Sequence, residues 1–155
     1  MKSMDRRTFL KMAGAGSAAA AAAVALPIAS LRVKDTGRLI FRATAGLPAK
    51  PLPAYAVQVV EGNLDLTRGT GVITSQIFAG HTEGISNIAL PGLARVVRVT
   101  GVVRRGETIQ VTGAIDDRAA LARGESPVVE IFIDRARGIV TAPFVGNQVM
   151  LTLAR

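Results

Sequence analysis

The sequence predicts an all-β fold: an antiparallel β-sandwich or a small β-barrel with one short helical turn, preceded by an N-terminal helix. Apolar residues make up 49% of the 155 residues but aromatic residues only 4%. Val, Ile, Leu and Ala must therefore fill the core, and the β-branched members of this set favour pleated sheet. Sixteen glycines and seven prolines separate the short apolar runs, as turns separate strands.

The N-terminal segment has the three-part organisation of a secretory signal. A basic stretch ends at Lys11, an apolar stretch runs from Met12 to Leu26, and small residues surround Ala25 and Ser30. Alanine and glycine dominate the apolar stretch, which makes it a poor permanent membrane helix and a suitable transient one. We expect cleavage after Ala25 or Ser30, and the alternative is an uncleaved leader that stays as an anchor.

The basic stretch carries a specific motif. Arg6 and Arg7 are followed, after one residue, by Phe9, Leu10 and Lys11. This spacing resembles the twin-arginine (Tat) signal, with an aspartate before the pair where serine or threonine is more usual. The resemblance is confined to the leader. It implies recognition by the Tat translocon, folding before export, and a periplasmic, cell-envelope or extracellular location.

Residues 31–155 are expected to form a single β-rich domain, because their number suits one domain. The first segments alternate apolar and polar side chains, as half-buried strands do. Leu39, Phe41 and Ala43 share one face of the first strand. Prolines 48, 51 and 53 then predict an extended connection. The next strands are predicted over residues 55–60, ended by glycine and asparagine at 62–63, and over residues 72–79, ended by residues 80–84.

The clearest local signal lies in residues 94–115, where two β-branched runs flank a short, charged turn that contains glycine. This pattern predicts an antiparallel hairpin. Gly101 and Gly113 stand in similar surroundings on its two arms and are predicted to be bulges or close backbone approaches. The remaining strands are predicted over residues 128–134, with Val129, Ile131 and Ile133 on one face, and over residues 139–141 and 148–153.

One segment between these strands has a helical signal. Residues 116–123 are predicted to form one or two helical turns, capped by Asp116 or Asp117 and stopped by Gly124. Both a β-sandwich and a closed antiparallel barrel fit the full series of strands.

The formal net charge is +8, and the four basic residues and one acid of the leader account for +3 of it. The remaining arginines are spaced singly, and the one tyrosine lies far from any basic cluster, so nucleic-acid binding is not expected. Net charge alone can attract an anionic polymer, and an envelope protein is the other partner considered. The chain has no cysteine, which excludes disulfides and thiol catalysis. It also has no long apolar span after the leader.

Two loop sites contain side chains able to do chemistry. His81, the single histidine, lies near Glu83 in a glycine-flanked loop, and such loops often carry functional residues. Asp116 and Asp117 form an acidic pair near Glu125, and paired carboxylates bind calcium or act as acid and base. The alternative for the acidic group is helix capping with surface ion pairs. Neither site has the spacing of a metal or cofactor motif, so no metal and no cofactor are expected.

The sequence therefore predicts an exported, non-enzymatic β domain that binds or scaffolds at the cell envelope or outside the cell. The alternative is a small β-barrel that carries a ligand or acts as an enzyme through an interior pocket. Such a pocket would need a few polar groups among apolar strands, and Tyr55, Gln76 and His81 are the residues considered for that role.

Overall fold

The computed structural model describes residues 32–34, 37–48, 55–144 and 147–154. These residues contain ten strands and one 3₁₀ turn, Arg118–Ala120. The strands are β1 (Arg32–Lys34), β2 (Arg38–Leu47), β3 (Ala56–Asp65), β4 (Thr70–His81), β5 (Gly84–Ala89), β6 (Arg95–Arg105), β7 (Thr108–Ile115), β8 (Val128–Asp134), β9 (Ile139–Phe144) and β10 (Asn147–Leu153). The leader with its twin-arginine motif and cleavage positions, and the prolines at 51 and 53, lie outside the described residues.

Eight of the strands close into an antiparallel barrel. The order around the barrel is β2, β10, β9, β8, β7, β6, β4 and β3, and a pairing between β2 and β3 completes the ring. The two remaining strands are additions: β1 pairs with the first half of β2, and β5 pairs with the last residues of β4. The all-β prediction is confirmed, and of its two architectures the barrel is the one that forms.

Alternation along the strands determines which side chains fill the barrel. The inward-facing residues of all eight barrel strands form one buried cluster. Its largest members are Leu39, Phe41, Leu64, Ile73, Ile109, Ile133 and Leu151. The predicted inward faces of residues 37–44 and 128–134 are confirmed, because Phe41 and Ile131 are buried while Arg38 and Glu130 are exposed.

The two ends of the barrel differ. One end, called the turn end here, carries the short connections at residues 66–69, 106–107 and 135–138. The other end, called the loop end, carries the β4–β5 hairpin and the 12-residue segment 116–127. In the described part of the chain, no helix is long and apolar enough to span a membrane.

The predicted hairpin over residues 94–115 is confirmed as β6 and β7. The register between these strands shifts between Val99 and Gly101, which makes the expected bulge. Gly113 is the expected close approach, because a Cβ there would lie 2.8 Å from the Arg98 carbonyl oxygen. The predicted helical turn is short: Asp117 caps it, and the backbone is already extended at Leu121, before Gly124.

One strand prediction needs correction, and two strands were not predicted. The end predicted at residues 62–63 is wrong, because β3 continues through Gly62 to Asp65. Gly62 pairs with Phe41, and the aromatic ring occupies the space of the missing side chain, so this glycine permits packing rather than a turn. The break predicted over residues 80–84 is confirmed, because β4 ends at His81. A tight hairpin there leads into β5, and β5 and β1 are the two strands that the sequence did not predict.

Candidate functional site

The barrel contains a cavity of about 330 Å³ at its loop end. Its walls are the inward faces of β3, β4 and β6–β9, and its rim comes from the segment 116–127 and the start of β10. The apolar part of the lining includes Val60, Ile73, Val97, Ile115, Val129, Ile131 and Ala142. The polar part includes Ser75, Arg95, Glu125 and Gln148. Apolar walls with a few polar groups are the usual composition of a small-molecule pocket.

Side-chain size explains why the space lies at this end. Towards the turn end, Leu39, Phe41 and Leu64 fill the barrel from β2 and β3. Towards the loop end, β9 carries the small Ala142 at an inward position, and this residue lines the cavity. An eight-stranded barrel is just wide enough for side chains to fill or for one small ligand to occupy. The small side chain of Ala142 therefore contributes to a space at this end, whereas large residues fill the barrel at the other.

A buried ion pair forms one side of the cavity. Arg95, at the start of β6, donates from Nε and Nη2 to the two carboxylate oxygens of Glu125, each at 2.8 Å. Both side chains are only 9% exposed. Arg95 Nη1 also donates to the carbonyl oxygens of Gly92 and Ala94 at 3.0 and 2.9 Å, and Glu125 accepts from the backbone N–H of Ala122 at 2.8 Å. The pair thus fastens the rim segment to the barrel wall.

The contacts of this pair shift its protonation. The hydrogen bonds from Arg95 hold the pKa of Glu125 below the usual glutamate range, although burial opposes them, and the Ala122 N–H and the arginine charge act in the same direction as these bonds. The hydrogen bonds to Glu125 likewise raise the pKa of Arg95 further above neutrality. Both groups are therefore charged at neutral pH, and they neutralise each other at the cavity wall.

We expect the stabilisation by Glu125 to depend on pH in the acid range. A carboxyl group whose pKa is lower in the folded state contributes stability above its unfolded pKa, about 4.3 for glutamate, and loses it as the pH falls through the folded value. Thermal unfolding of wild type and Glu125→Gln should therefore differ most above about pH 5, and the difference should shrink as the pH falls through the lowered folded-state pKa of Glu125. Glu83→Gln, an exposed carboxylate, is the control. A gap that stays constant down to pH 3 would contradict the expectation.

A second polar pair lies inside the barrel. Gln58, on β3, is fully buried, and it is the one polar residue in the described part of the chain with no exposed surface. Its Nε2 donates to the Ser75 hydroxyl on β4 at 3.0 Å. Its Oε1 is buried and has no hydrogen-bond partner among the described residues. Ser75 lines the cavity, whereas Gln58 has no exposed surface, so only the hydroxyl of this pair reaches the apolar wall.

The three carboxylates predicted as a group in residues 116–125 have separate partners in the structure. Asp116 accepts two hydrogen bonds from Arg98 at 3.1 Å. Asp117 caps the 3₁₀ turn by accepting from the backbone N–H of Ala119 at 3.0 Å. Glu125 faces Arg95 instead. Their arrangement matches the capping and ion-pair alternative, and a binding role for Asp116 and Asp117 stays a prediction.

The histidine loop lies at the loop end but outside the cavity lining. His81 and Glu83 are exposed at the β4–β5 hairpin, where the Glu83 backbone N–H donates to His81 Nδ1 at 3.4 Å. Tyr55 is 75% exposed, and Gln76 lies on the outer face of β4. These three side chains, considered earlier for an interior pocket, do not line this cavity. A separate binding role for His81 and Glu83 stays a prediction.

Sequence reasoning missed Gln58 and Arg95. A signal for Gln58 exists, since alternation places it on the same face as Ala56 and Val60, and a glutamine on an inward face is unusual. Arg95 has no such signal, because its partner is 30 residues away and exposed arginines occur at similar positions on the same strand.

Arginine side chains collect at the turn end. Three of them pair with nearby acids: Arg68 with Asp65, Arg135 with Glu107, and Arg137 with Asp134. Arg38, Arg104 and Arg105 have no carboxylate within 4 Å among the described residues. This surplus of positive charge suits the anionic polymer expected from the composition, and that partner stays a prediction.

Together these features define a class: a closed antiparallel β-barrel with an apolar pocket at one end and paired polar groups in its wall. Within the described residues, no three acidic or histidine side chains are grouped to hold a metal ion. The chain matches no protein-family model, no curated protein and no solved structure. Its function must therefore be argued from the pocket.

Proposed function

We propose that this protein is an exported β-barrel that binds a small, mainly apolar molecule in the cavity at its loop end, outside the cytoplasm. The observation that carries the proposal is the cavity of about 330 Å³ enclosed by core strands. A dry cavity of about 150 Å³ lined by aliphatic and aromatic side chains is known to hold benzene. The cavity here is about twice that size, which gives room for a molecule of two or three rings.

Binding is proposed rather than catalysis, because the two buried charged groups at the cavity are already engaged. Arg95 and Glu125 satisfy each other and the neighbouring backbone. A general acid or base must reach the proton of its substrate, and this pair would have to give up its hydrogen bonds to do so. The resemblance of the leader to a twin-arginine signal supports the proposed location, since a substrate of that route crosses the membrane already folded.

Filling the cavity should abolish binding. We expect the full-length chain to bind the neutral fluorophore N-phenyl-1-naphthylamine, whose emission rises in apolar surroundings. Ala142→Leu places a larger side chain in the cavity and should weaken this binding at least tenfold, about 1.4 kcal/mol. Thr141→Leu makes a similar change on the outer face of the same strand and should leave the affinity within about twofold. Fluorescence titration measures both.

Two results would contradict the proposal. One is that wild type does not raise the emission of the fluorophore. The other is that Ala142→Leu, shown to be folded by circular dichroism, binds as tightly as Thr141→Leu, because the fluorophore would then occupy a surface site.

A further inference from the structure

The two ends of the barrel differ in charge. Among the described side chains, the turn end has three acids and six arginines, which are Arg38, Arg68, Arg104, Arg105, Arg135 and Arg137. The loop end has four arginines and four acids, in residues 81–98 and 116–125. Each acid of the turn end already pairs with an arginine. The positive surplus therefore lies at the turn end, and it includes the exposed Arg104 and Arg105.

Exposed apolar side chains lie beside these arginines on the outer wall of the barrel. Val103 on β6, Phe132 on β8 and Met150 on β10 are 50%, 37% and 67% exposed. Cross-strand pairing places the three in one row, with Gln110 on β7 and Thr141 on β9 between them. Exposed apolar side chains grouped on one wall mark an interaction surface, whereas single ones are normal.

The arginines border this row on the side of the turn end. Arg105 lies two residues after Val103 on the same strand, which is about 7 Å along the same face. The β8–β9 turn lies against the β6–β7 turn, because Arg135 Nη1 is 3.5 Å from the Glu107 carboxylate. On the other side of the row, the exposed Glu130 limits the apolar surface. We call the row and its two unpaired arginines the turn-end patch: Val103, Phe132, Met150, Arg104 and Arg105.

An anionic lipid surface matches both parts of the turn-end patch. Its headgroups attract basic residues, and the acyl boundary behind them accepts apolar side chains. An arginine beside an apolar side chain can keep its guanidinium group among the headgroups, because its stem is long and apolar. A soluble anionic polymer would contact the arginines only and would leave Val103, Phe132 and Met150 in water.

We propose that the turn-end patch docks the barrel on a membrane surface that contains anionic lipid. The outer wall of β6–β10 lies against the bilayer, the apolar row contacts the acyl boundary, and Arg104 and Arg105 bind headgroup phosphates. The inference does not rest on the pocket, because the cavity lies at the opposite end of the barrel. Docking of this kind leaves the loop end away from the bilayer.

A local fluorescent probe tests the contact. The chain contains no tryptophan, so a single introduced tryptophan reports on one position. The emission of full-length Phe132→Trp should move to shorter wavelength on phosphatidylcholine vesicles that contain about one-third phosphatidylglycerol, and not on phosphatidylcholine alone. Ile88→Trp, at an exposed position of β5 at the loop end, is the control and should keep its emission. The leader is present in both variants, so any binding by the leader is common to them.

Removing charge tests the arginines. Adding Arg104→Gln and Arg105→Gln to Phe132→Trp should weaken binding to the anionic vesicles at least tenfold, because each basic residue near such a surface contributes roughly fivefold. Adding Arg118→Gln and Arg123→Gln instead removes two exposed arginines of the loop end. These lie away from the proposed contact, where salt screens them, so the affinity should stay within about twofold. Titration of the tryptophan emission with vesicles measures both.

Several outcomes would overturn the inference: no shift for Phe132→Trp, a shift of the same size on neutral vesicles or for Ile88→Trp, or equal weakening by the two pairs of arginine substitutions. Retention on immobilised dextran sulfate that falls with Arg104→Gln and Arg105→Gln, with no emission shift on vesicles, would mean that the patch binds a soluble polymer instead. None of these results bears on the cavity, which the N-phenyl-1-naphthylamine titration tests separately.

Discussion

Replacing Phe41 with alanine is expected to lower the free energy of unfolding by about 3–5 kcal/mol, because it removes a large buried side chain and leaves a cavity. Phe41 is 1% exposed and belongs to the main core cluster. Its ring lies over Gly62 on the neighbouring strand. For a domain of this size the loss corresponds to a fall of roughly 10–20 °C in the unfolding midpoint, measured by thermal denaturation.

The partner of the ring provides a sharper test of the same contact. Gly62→Ala adds a Cβ where the ring of Phe41 lies, and overpacking of this kind destabilises by about 1–3 kcal/mol. Gly101→Ala is the matched control, because a Cβ there meets nothing within 4 Å. It should be neutral or slightly stabilising, through reduced freedom of the unfolded chain.

A double variant separates the two contributions. Phe41→Leu removes the ring, so adding Gly62→Ala to it should destabilise less than Gly62→Ala does in wild type. Residues in contact show such interaction energies in a double-mutant cycle. Additive effects would show that the ring and the glycine do not depend on each other. A Gly101→Ala variant as unstable as Gly62→Ala would show that the loss does not come from the contact with the ring.

Local pattern predicted much of this fold. Alternation was sufficient to assign the inward faces of β2 and β8, because burial of one face is recorded in every second residue. The β6–β7 hairpin was predictable because its strands are joined by a short turn. Closure of the barrel could not be predicted in this way, because it depends on the pairing of Ala43 with Leu153. These two residues lie at opposite ends of the domain. Gly62 was wrongly predicted to end a strand, because a glycine before an asparagine has the local signature of a turn. The residue is instead a glycine that makes room for the ring of Phe41, 21 residues away in the sequence.

The candidate site was less predictable, because its polar pairs are contacts between distant segments. Glu125 was grouped with Asp116 and Asp117 by proximity in sequence, yet the fold turns it towards Arg95 on β6. Gln58 reaches Ser75 across 17 residues. Alternation shows that both Gln58 and Ser75 face inward, but it does not show that the barrel leaves a space beside Ser75. That space depends on the sum of side-chain volumes around a closed ring.

Breaking the buried pair of Arg95 and Glu125 is expected to have the second large effect on stability. Arg95→Met should lower the free energy of unfolding by about 3–5 kcal/mol, because it leaves the Glu125 carboxylate buried without a counter-charge. Removing both charges in Arg95→Met with Glu125→Leu should recover most of the loss, since apolar residues of similar volume often replace a buried pair without cost. Chemical denaturation at pH 7 measures all three proteins.

The strand β6 supplies a matched control for this substitution. Arg98 lies three residues after Arg95 and makes two hydrogen bonds to Asp116 of the same segment, but the arginine side chain is 72% exposed. Solvent and salt screen an exposed pair, so Arg98→Met should change the unfolding midpoint little. Arg95→Met should also weaken binding of the fluorophore, because Arg95 holds the rim over the cavity. Equal losses from the two substitutions, or no recovery in the double variant, would mean that burial of the Arg95–Glu125 pair is not what makes it important.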